Sequence, residues 1–447
     1  MKLLLKIKLL LKWFYPGLNV KRWLFLAFIG LLLTLGGTVL LAGSLLPVTR
    51  TELLARAKET IGPLAVWPWV LLIPMAGVVA LAVGLHRVFR SVVAVLAPAG
   101  EQRLVDIIYS RRYLRRGPRI VVVGGGTGLA TMLRGIKNYT SNITAIVSVA
   151  DDGGSSGRLR GDLGILPPGD IRNCLVALAD KESMMEALLQ YRFNTGELAG
   201  HNLGNLLLAA LNDVAGGFHQ AVQGMSRVLA IRGRVLPATL QDVRLGAEFS
   251  DGAVVWGESS IPKYGRRIRR IFLEPEDCFP LPEALSAIEE ADAVVLGPGS
   301  LYTSIMPNLM VRGIGDALAR SAAIKIYVCN IMTQTGETDG YTACEHLKSI
   351  IAHAGKVVDY MVINTADIPA PVKARYRREG AARVLPDARE IEKLGVRVVP
   401  GDFLAQGDVA RHWPERLAET IIRLTLTNKR PPERISLLYG MGNGNKE

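Results

Sequence analysis

A run of glycines at the end of an apolar segment is the first feature that could do chemistry. Residues 119–128 read Arg-Ile-Val-Val-Val-Gly-Gly-Gly-Thr-Gly, and a helical pattern follows. Glycines let backbone N–H groups approach phosphate oxygens, and the positive end of the next helix favours an anion. The spacing is neither Gly-x-Gly-x-x-Gly nor a Walker loop. We predict a phosphate-binding turn, with a tight turn that binds nothing as the alternative; the candidate contacts are Gly124, Gly125, Gly126, Thr127 and Gly128.

A second polar loop follows the next apolar run. Residues Ile143 to Val149 lead into Asp-Asp-Gly-Gly-Ser-Ser-Gly-Arg. In dinucleotide-binding sheets an acid at this edge accepts hydrogen bonds from a ribose, and two adjacent carboxylates favour a magnesium site as well. A turn with surface carboxylates is the alternative. The predicted metal ligands, and catalytic residues if the chain is an enzyme, are Asp151 and Asp152; the predicted ligand contacts are Ser155, Ser156 and Arg158.

Two further segments place polar side chains where helices begin. A Pro-Pro-Gly turn precedes Asp170, at the predicted N-cap position of a helix, and capping alone would explain this residue. Arg172 and Asn173 follow in the first turn and face either ligand or solvent. A very apolar helix begins with three polar residues, which favours ligand contact: His201, Asn202 and Asn205. His201 is either an acid or base, or a hydrogen-bonded structural histidine.

Two later loops have the same character. An apolar run over residues 293–296 ends in Gly-Pro-Gly-Ser-Leu-Tyr-Thr-Ser, and another over 324–329 ends in Asn-Ile-Met-Thr-Gln-Thr-Gly. Ligands of open α/β sheets bind outside the carboxyl ends of the strands, so four such loops predict one site. The candidate contacts in these loops are Gly297, Gly299, Ser300, Tyr302, Ser304, Asn330, Thr333 and Gln334.

The elements that must position these loops alternate along the chain. Short apolar strands alternate with helical patterns from Arg119 onward, which indicates right-handed crossovers and a mostly parallel sheet. We predict an α/β, Rossmann-like doubly wound domain over 118–430 with a small antiparallel insertion, followed by a flexible tail over 431–447. The predicted insertion strands are Val235–Ala238, Ala253–Trp256 and Ile268–Leu273.

Two long stretches without charge precede this domain, from Trp23 to Thr49 and from Thr60 to Leu85. Each exceeds the roughly 20 residues that cross a bilayer. The first is too long for the apolar region of a signal peptide. Lysines and arginines concentrate before the first stretch and after the second, which places both termini in the cytoplasm. We predict a basic N-terminus (1–22), a transmembrane hairpin (23–85) and a basic amphipathic connector (86–117), anchored in a bacterial cytoplasmic membrane.

The net charge of +13 reflects this anchor. Residues 1–116 contain 16 basic and 4 acidic side chains, whereas the rest of the chain is nearly neutral. The partner implied is therefore the lipid bilayer and not nucleic acid. One basic cluster remains in the rest of the chain: Lys263, Arg266, Arg267, Arg269 and Arg270. We interpret it either as a solvated strand edge or as a contact for an acidic partner or polyphosphate. Four widely spaced cysteines predict buried, reduced thiols.

Taken together, the motifs at 124–128, 151–158, 166–170, 201–205 and 297–304 closely resemble the YvcK branch of the CofD-like family. The likeness runs from about Pro118 to Asn364, with a weaker tail to about Thr427. It implies a Rossmann-like CofD fold and membership among the bacterial gluconeogenesis factors, which bind UDP-sugars and influence cell shape and wall synthesis. The sister branch, 2-phospho-L-lactate transferase, holds magnesium near the acidic loop, where this chain has Asp151 and Asp152. This chain departs from that branch in having Leu-Pro-Pro-Gly-Asp and Gly-Pro-Gly-Ser-Leu.

Two hypotheses follow. The first is a membrane-tethered regulator that binds a UDP-sugar or another nucleotide diphosphate, with cell-wall or morphogenesis proteins as partners and a homo-oligomeric state. The second is a magnesium-dependent transferase of phosphorus-containing groups. An NAD-dependent oxidoreductase is disfavoured, because no proton-relay constellation accompanies the glycines.

Overall fold

The computed structural model describes residues 21–45, 63–96, 113–180 and 183–428. The chain divides into two compact units, one over residues 1–112 and the other from Tyr113 onward. The predicted helical connector falls largely outside the described residues, and so does the tail from residue 431.

Two long helices form the first unit, α1 (Lys21–Leu45) and α2 (Pro63–Leu96). Glycines let their backbones approach closely, since a Cβ on Gly77 would lie 2.5 Å from the Thr34 nitrogen and one on Gly84 would lie 2.7 Å from the Ala27 nitrogen. The Arg87 guanidinium lies 5.0 Å from the ring centroid of Trp23. The helices are therefore antiparallel, and Lys21, Arg22 and Arg87 lie at the same end of the pair.

Seven parallel strands form the main sheet of the second unit, in the order β10-β9-β8-β7-β1-β2-β3. Their central members are short apolar runs buried on both faces, as parallel sheets require. The strands are β1 (Ile120–Gly124), β2 (Ile143–Val147), β3 (Arg234–Pro237), β7 (Ala293–Leu296), β8 (Ile324–Val328), β9 (Tyr360–Asn364) and β10 (Arg397–Gly401). Strand order reverses between β1 and β7, and ligands of doubly wound folds bind at such a switch point. The predicted Rossmann-like sheet is confirmed.

Helices cover this sheet and pack onto its apolar strands. Between β1 and β3 lie α3 (Gly126–Ile136), α4 (Gly154–Leu163), α5 (Gly169–Leu178), α6 (Ser183–Gln190), α7 (Leu203–Ala215) and α8 (Phe218–Val228). Later come α9 (Ile261–Tyr264), α10 (Pro282–Glu289), a π-helix (Leu301–Ile305), α11 (Met306–Met310), α12 (Ile314–Arg320), α13 (Ala343–Ala354), α14 (Ala370–Arg378), α15 (Ala388–Lys393) and α16 (Pro414–Asn428).

The antiparallel insertion exists, but its first predicted strand was assigned wrongly. Residues 234–237 form β3, which pairs in parallel with β2 and extends the main sheet. The insertion is instead a three-stranded sheet of β4 (Arg244–Phe249), β5 (Val254–Trp256) and β6 (Ile268–Glu274), with β4 in the centre. The error has a physical cause, since a short apolar run does not reveal which strand it will pair with.

Candidate functional site

A cleft of about 510 Å³ opens at the carboxyl ends of β1, β7 and β8, next to the switch point. Three of the four predicted loops meet here. The predicted residues that line it are Gly126, Thr127, Gly128, Gly299, Ser300, Ser304, Asn330, Thr333 and Gln334. The residues that the sequence reasoning did not select include Glu258, Tyr376, Arg411 and His412.

The glycine turn after β1 is shaped by Asp170. Gly126 has a φ of +69°, which favours glycine, and its N–H donates to Asp170 Oδ2 at 2.7 Å. A Cβ on Gly125 would lie 2.5 Å from the same oxygen. The predicted N-cap role of Asp170 is wrong, because Pro168 is the N-cap of α5 and Asp170 lies inside the first turn. Its carboxylate binds the start of α3, which leaves the N–H groups of Thr127 and Gly128 without intrahelical partners, beside the cleft.

Burial raises the pKa of Asp170 to about 6, and the nearby Asp151 adds to this rise. The N–H of Gly126 and the charge of Arg172 act in the opposite direction. A carboxyl group with such a pKa can gain or lose a proton near neutrality.

Acidic side chains gather beside the cleft. Asp151 Oδ1 accepts from the Gly153 N–H at 2.9 Å, and its carboxylate also shares a hydrogen bond with Glu258. Burial and the charges of Asp151 and Asp170 raise the pKa of Glu258 well above its ordinary value, so Glu258 holds a proton at neutral pH. Asp152 accepts from the Ser259 N–H at 2.8 Å. Asp152 therefore holds the loop that carries Glu258.

The acidic loop implies a magnesium ion. Within the described ranges, no three His, Cys, Asp or Glu side chains are grouped to hold a metal by themselves. Mg²⁺ usually takes only one or two carboxylates and completes its shell with waters and phosphate oxygens. Asp151 and Glu258 supply such a pair and share a proton that a cation would displace. The donor set therefore fits a magnesium ion that arrives with a phosphate ligand.

The third predicted loop, residues 297–304, runs into the π-helix after β7. Gly297 has a φ of +78°. The Ser300 hydroxyl donates to Glu337 and accepts from the Thr303 hydroxyl at 2.6 Å. Glu337 is 6% exposed, and burial raises its pKa. Tyr302, a predicted contact, does not line this cleft, because its hydroxyl lies 3.0 Å from those of Tyr341 and Ser349.

The loop after β8 forms another wall of the cleft. Thr333 is tied to the chain after α14, where its hydroxyl accepts from the Ala382 N–H at 2.9 Å. His412 is 8% exposed, and burial lowers its pKa to about 4, so its imidazole is neutral. Its Nε2 has no hydrogen-bond partner among the residues described. A buried polar atom of this kind is available to a ligand.

The other predicted polar contacts bind one another or nearby backbone groups. Asn202 caps α7 by accepting from the Asn205 N–H, and Ser155 Oγ accepts from the Asn202 N–H and lies 3.3 Å from His201 Nδ1. Arg172 donates to Asn205 at 2.9 Å and to Asn173 at 2.7 Å. Ser156 accepts from the Gly169 N–H, and Arg158 donates to the Ala199 carbonyl. These residues order the segments that present Asp151 and Asp170, and they lie outside the lining of the cleft.

Sequence alone gave little sign of the missed residues. Glu258 lies in the insertion, and His412 lies in a loop without a glycine-rich motif before it. Glu337 directly follows Gly336 in the loop after β8, so its position in a predicted loop was the available signal. Tyr376 and Arg411 come from segments after residue 364, where the resemblance weakened. The sheet brings these later segments to the loop after β8, because β9 lies next to β8 and β10 lies next to β9.

The sheet order and the cleft at its switch point place the chain among the Rossmann-like α/β proteins. Residues 120–404 match the family described as 2-phospho-L-lactate transferase CofD. A putative gluconeogenesis factor of Nostoc sp. is 46% identical over 92% of each chain. The gluconeogenesis factor of Bacillus subtilis is 51% identical over 69% of this chain and 98% of its own. The chain therefore belongs to the CofD family, in the branch of the gluconeogenesis factors, which confirms the resemblance and supports a role related to gluconeogenesis.

A solved structure agrees with this. A crystal structure of a Bacillus halodurans protein is 51% identical, covers 69% of this chain and 100% of its own, and superposes with a TM-score of 0.67. The match to the Nostoc protein covers 92% of this chain, whereas the unit that begins at Tyr113 makes up only roughly three quarters of it. That match must extend into the first unit.

Proposed function

We propose that this chain is a membrane-tethered regulator that binds a nucleotide diphosphate sugar, such as a UDP-sugar, and adjusts carbon flux into cell-wall precursors and cell shape during gluconeogenic growth. The cleft at the switch point carries the proposal. It combines backbone N–H groups at the start of α3, hydroxyls of Thr127 and Ser304, and Arg411. Backbone donors, hydroxyls and a guanidinium are the groups that bind phosphates.

The charge of the pyrophosphate points to one residue in particular. Arg158 and Arg172, the cations expected from sequence, donate to other protein groups. Among the described residues that line the cleft, Arg411 is the one Arg or Lys. We therefore assign the neutralisation of phosphate charge to Arg411.

Isothermal titration calorimetry with UDP-N-acetylglucosamine tests the proposal on the full chain in detergent micelles. We expect binding by the native chain and at least tenfold weaker binding by Arg411→Gln, because a charge-assisted hydrogen bond contributes on the order of 1.5–3 kcal/mol. Arg377→Gln, on the exposed side of α14, is the matched control. Absence of heat at millimolar ligand would refute nucleotide-sugar binding.

The tether rests on the first unit. Its apolar segments Lys21–Val39 and Leu71–Ser91 have mean hydropathies of 1.7 and 1.9, and only 17% and 11% of them is buried. A core helix of a soluble protein would be mostly buried, whereas these helices expose Phe25, Phe28, Met75 and Phe89. Both flanks of the pair are basic, which favours a cytoplasmic location for both ends. Labelling of Thr51→Cys, which lies between α1 and α2 in the sequence, from outside intact cells tests this topology.

The acidic residues favour a second candidate, a magnesium-dependent transferase. An acceptor hydroxyl would attack the β-phosphorus of the nucleotide sugar, form a new P–O bond and release UMP, while its proton passes to a carboxylate. Asp151 is the residue to change, because Asp152 holds a loop and its loss would disturb structure. Release of UMP with an added acceptor, abolished in Asp151→Ala, supports transfer; intact nucleotide after long incubation contradicts it.

A further inference from the structure

A second cleft, of about 570 Å³, shares the π-helix with the first. Ser300, Thr303 and Ser304 line the first cleft, whereas Tyr302 lines the second. The start of β6 and one face of α13 complete its walls. We call it the arginine cleft, and its polar lining includes Arg267, Arg269, Tyr302, Tyr341, Lys348 and Ser349.

Positive charge dominates the arginine cleft. Arg267, Arg269 and Lys348 line it, against one lining carboxylate, Glu345. One oxygen of Glu345 accepts from the Thr342 N–H in a capping box, and the other lies 3.6 Å from Arg267. Arg269 has a carboxylate partner in Glu248, which it shares with Arg270. The lining therefore keeps more positive charge than its carboxylate can balance.

A β-bulge directs Arg269 toward this cleft. Phe249 pairs with Ile268 and Glu248 pairs with Arg270, so Arg269 is the extra residue on its strand. Bulges redirect a side chain and are frequent beside functional sites. Arg267, Ile268 and Arg269 consequently line the cleft together, although a regular strand would alternate them between two faces.

The cations stand beside hydroxyl groups. The Arg267 guanidinium lies 5.5 Å from the ring centroid of Tyr341, which orients it. The Tyr302 hydroxyl lies 3.0 Å from the Tyr341 hydroxyl and 3.0 Å from Ser349 Oγ. Guanidinium groups together with hydroxyls recognise phosphate oxygens by charge and by hydrogen bonds.

We propose that the arginine cleft is a second ligand site, which binds a phosphate monoester. Two guanidinium groups and an ammonium group match the charge of this dianion, and the volume lies within the roughly 300–1,000 Å³ of small-molecule sites. The same headgroup chemistry occurs in a soluble sugar or glycerol phosphate and in phosphatidic acid. The proposal stands apart from nucleotide-sugar binding in the first cleft.

Native mass spectrometry of the full chain in detergent micelles tests both sources. The chain is titrated with sn-glycerol 3-phosphate in one arm, and with dioleoyl phosphatidic acid against dioleoyl phosphatidylcholine in the other. We expect one of the two phosphate monoesters to bind, and the double variant Arg267→Gln, Arg269→Gln to weaken it at least tenfold. Arg270→Gln is the matched control, since it lies next in the chain but does not line the cleft, and it should stay within twofold of the native chain.

The titration arm that shows binding identifies the source of the phosphate monoester. Glycerol phosphate binding identifies a soluble ligand, and binding of phosphatidic acid alone identifies a lipid headgroup. Lys348→Gln, on the exposed side of α13, provides the same test if the double variant does not fold. Failure of both monoesters to bind, or an equal loss in Arg270→Gln, overturns the proposal. A parallel UDP-N-acetylglucosamine titration reports on the first cleft separately.

Discussion

Asp170 occupies the end of α3 that a glycine-rich turn ordinarily offers to a phosphate. Its carboxylate reaches there from the first turn of α5 and binds the Gly126 N–H. An anionic ligand must therefore rely on the neighbouring N–H groups, on Arg411 or on a cation held by Asp151 and Glu258. At this site a side chain from elsewhere in the fold alters what a local motif can bind.

Asp170 also makes stability depend on pH. The folded pKa of about 6 lies above the ordinary value of 3.8, so protonation stabilises the folded state and stability falls as pH rises from about 4 to 6. Asp170→Asn keeps an acceptor for the Gly126 N–H. It removes the pH-dependent loss of folding free energy, which reaches about 3 kcal/mol above pH 6. Thermal unfolding of the two chains from pH 4.5 to 8 measures it. Asp162→Asn, which is exposed on α4, should keep the native profile; parallel profiles for Asp170→Asn and the native chain would contradict the assignment.

Glu258 provides a second prediction at this scale. Because it holds a proton at neutral pH, binding of Mg²⁺ with UDP-N-acetylglucosamine should release about one proton from the native chain. Glu258→Gln should release none. Calorimetry in two buffers with different ionisation enthalpies counts these protons. Equal release by both chains would remove Glu258 from the metal site.

Among the elements, those that end in a glycine or acidic loop could be predicted. β1, β2 and β7 are apolar runs that lead into such loops, and burial on both faces leaves few other structures for them. β4 could not be found in the same way, because Arg244–Phe249 contains two charged residues and a glycine. Helix α4 begins at Gly154, inside a glycine-serine segment that has low helix propensity, and tertiary contacts of Ser155 and Ser156 hold it. The cleft was predicted in part, because its far wall comes from segments without local motifs.

The helix pair of the first unit depends on small residues. A leucine at Gly77 would collide with the backbone of Thr34, so Gly77→Leu should separate α1 from α2 and raise amide hydrogen exchange in both. Gly36→Leu is the control, because a Cβ at Gly36 meets nothing within 4 Å. Hydrogen exchange of the full chain in micelles distinguishes the two variants. Equal protection in both would show that close packing is not needed.

At the scale of the whole molecule, the charged residues are distributed unevenly along the chain. The excess of basic residues lies before residue 117, whereas the CofD-family region is close to neutral. Its ligand chemistry must therefore come from local groups rather than from a general positive field. The B. subtilis relative matches 69% of this chain over 98% of its own length, so a relative exists with little counterpart to the remainder.

Deletion of residues 1–112 should accordingly leave the sheet intact. We expect the truncated protein to move from the membrane fraction to the soluble fraction and to keep its affinity for UDP-N-acetylglucosamine within about twofold. Ultracentrifugation of cell extracts and calorimetry measure the two properties. A truncated protein that still sediments with membranes would require another attachment site.

The π-helix after β7 lies between the two clefts, with Tyr302 lining one and Thr303 and Ser304 lining the other. Such short π-helical turns occur often at functional sites. If a ligand in one cleft shifts this turn and so changes the affinity of the other cleft, thermodynamic linkage requires the reverse effect to be equal in size. A molecule with two clefts coupled in this way would respond to the combination of two concentrations rather than to either one alone.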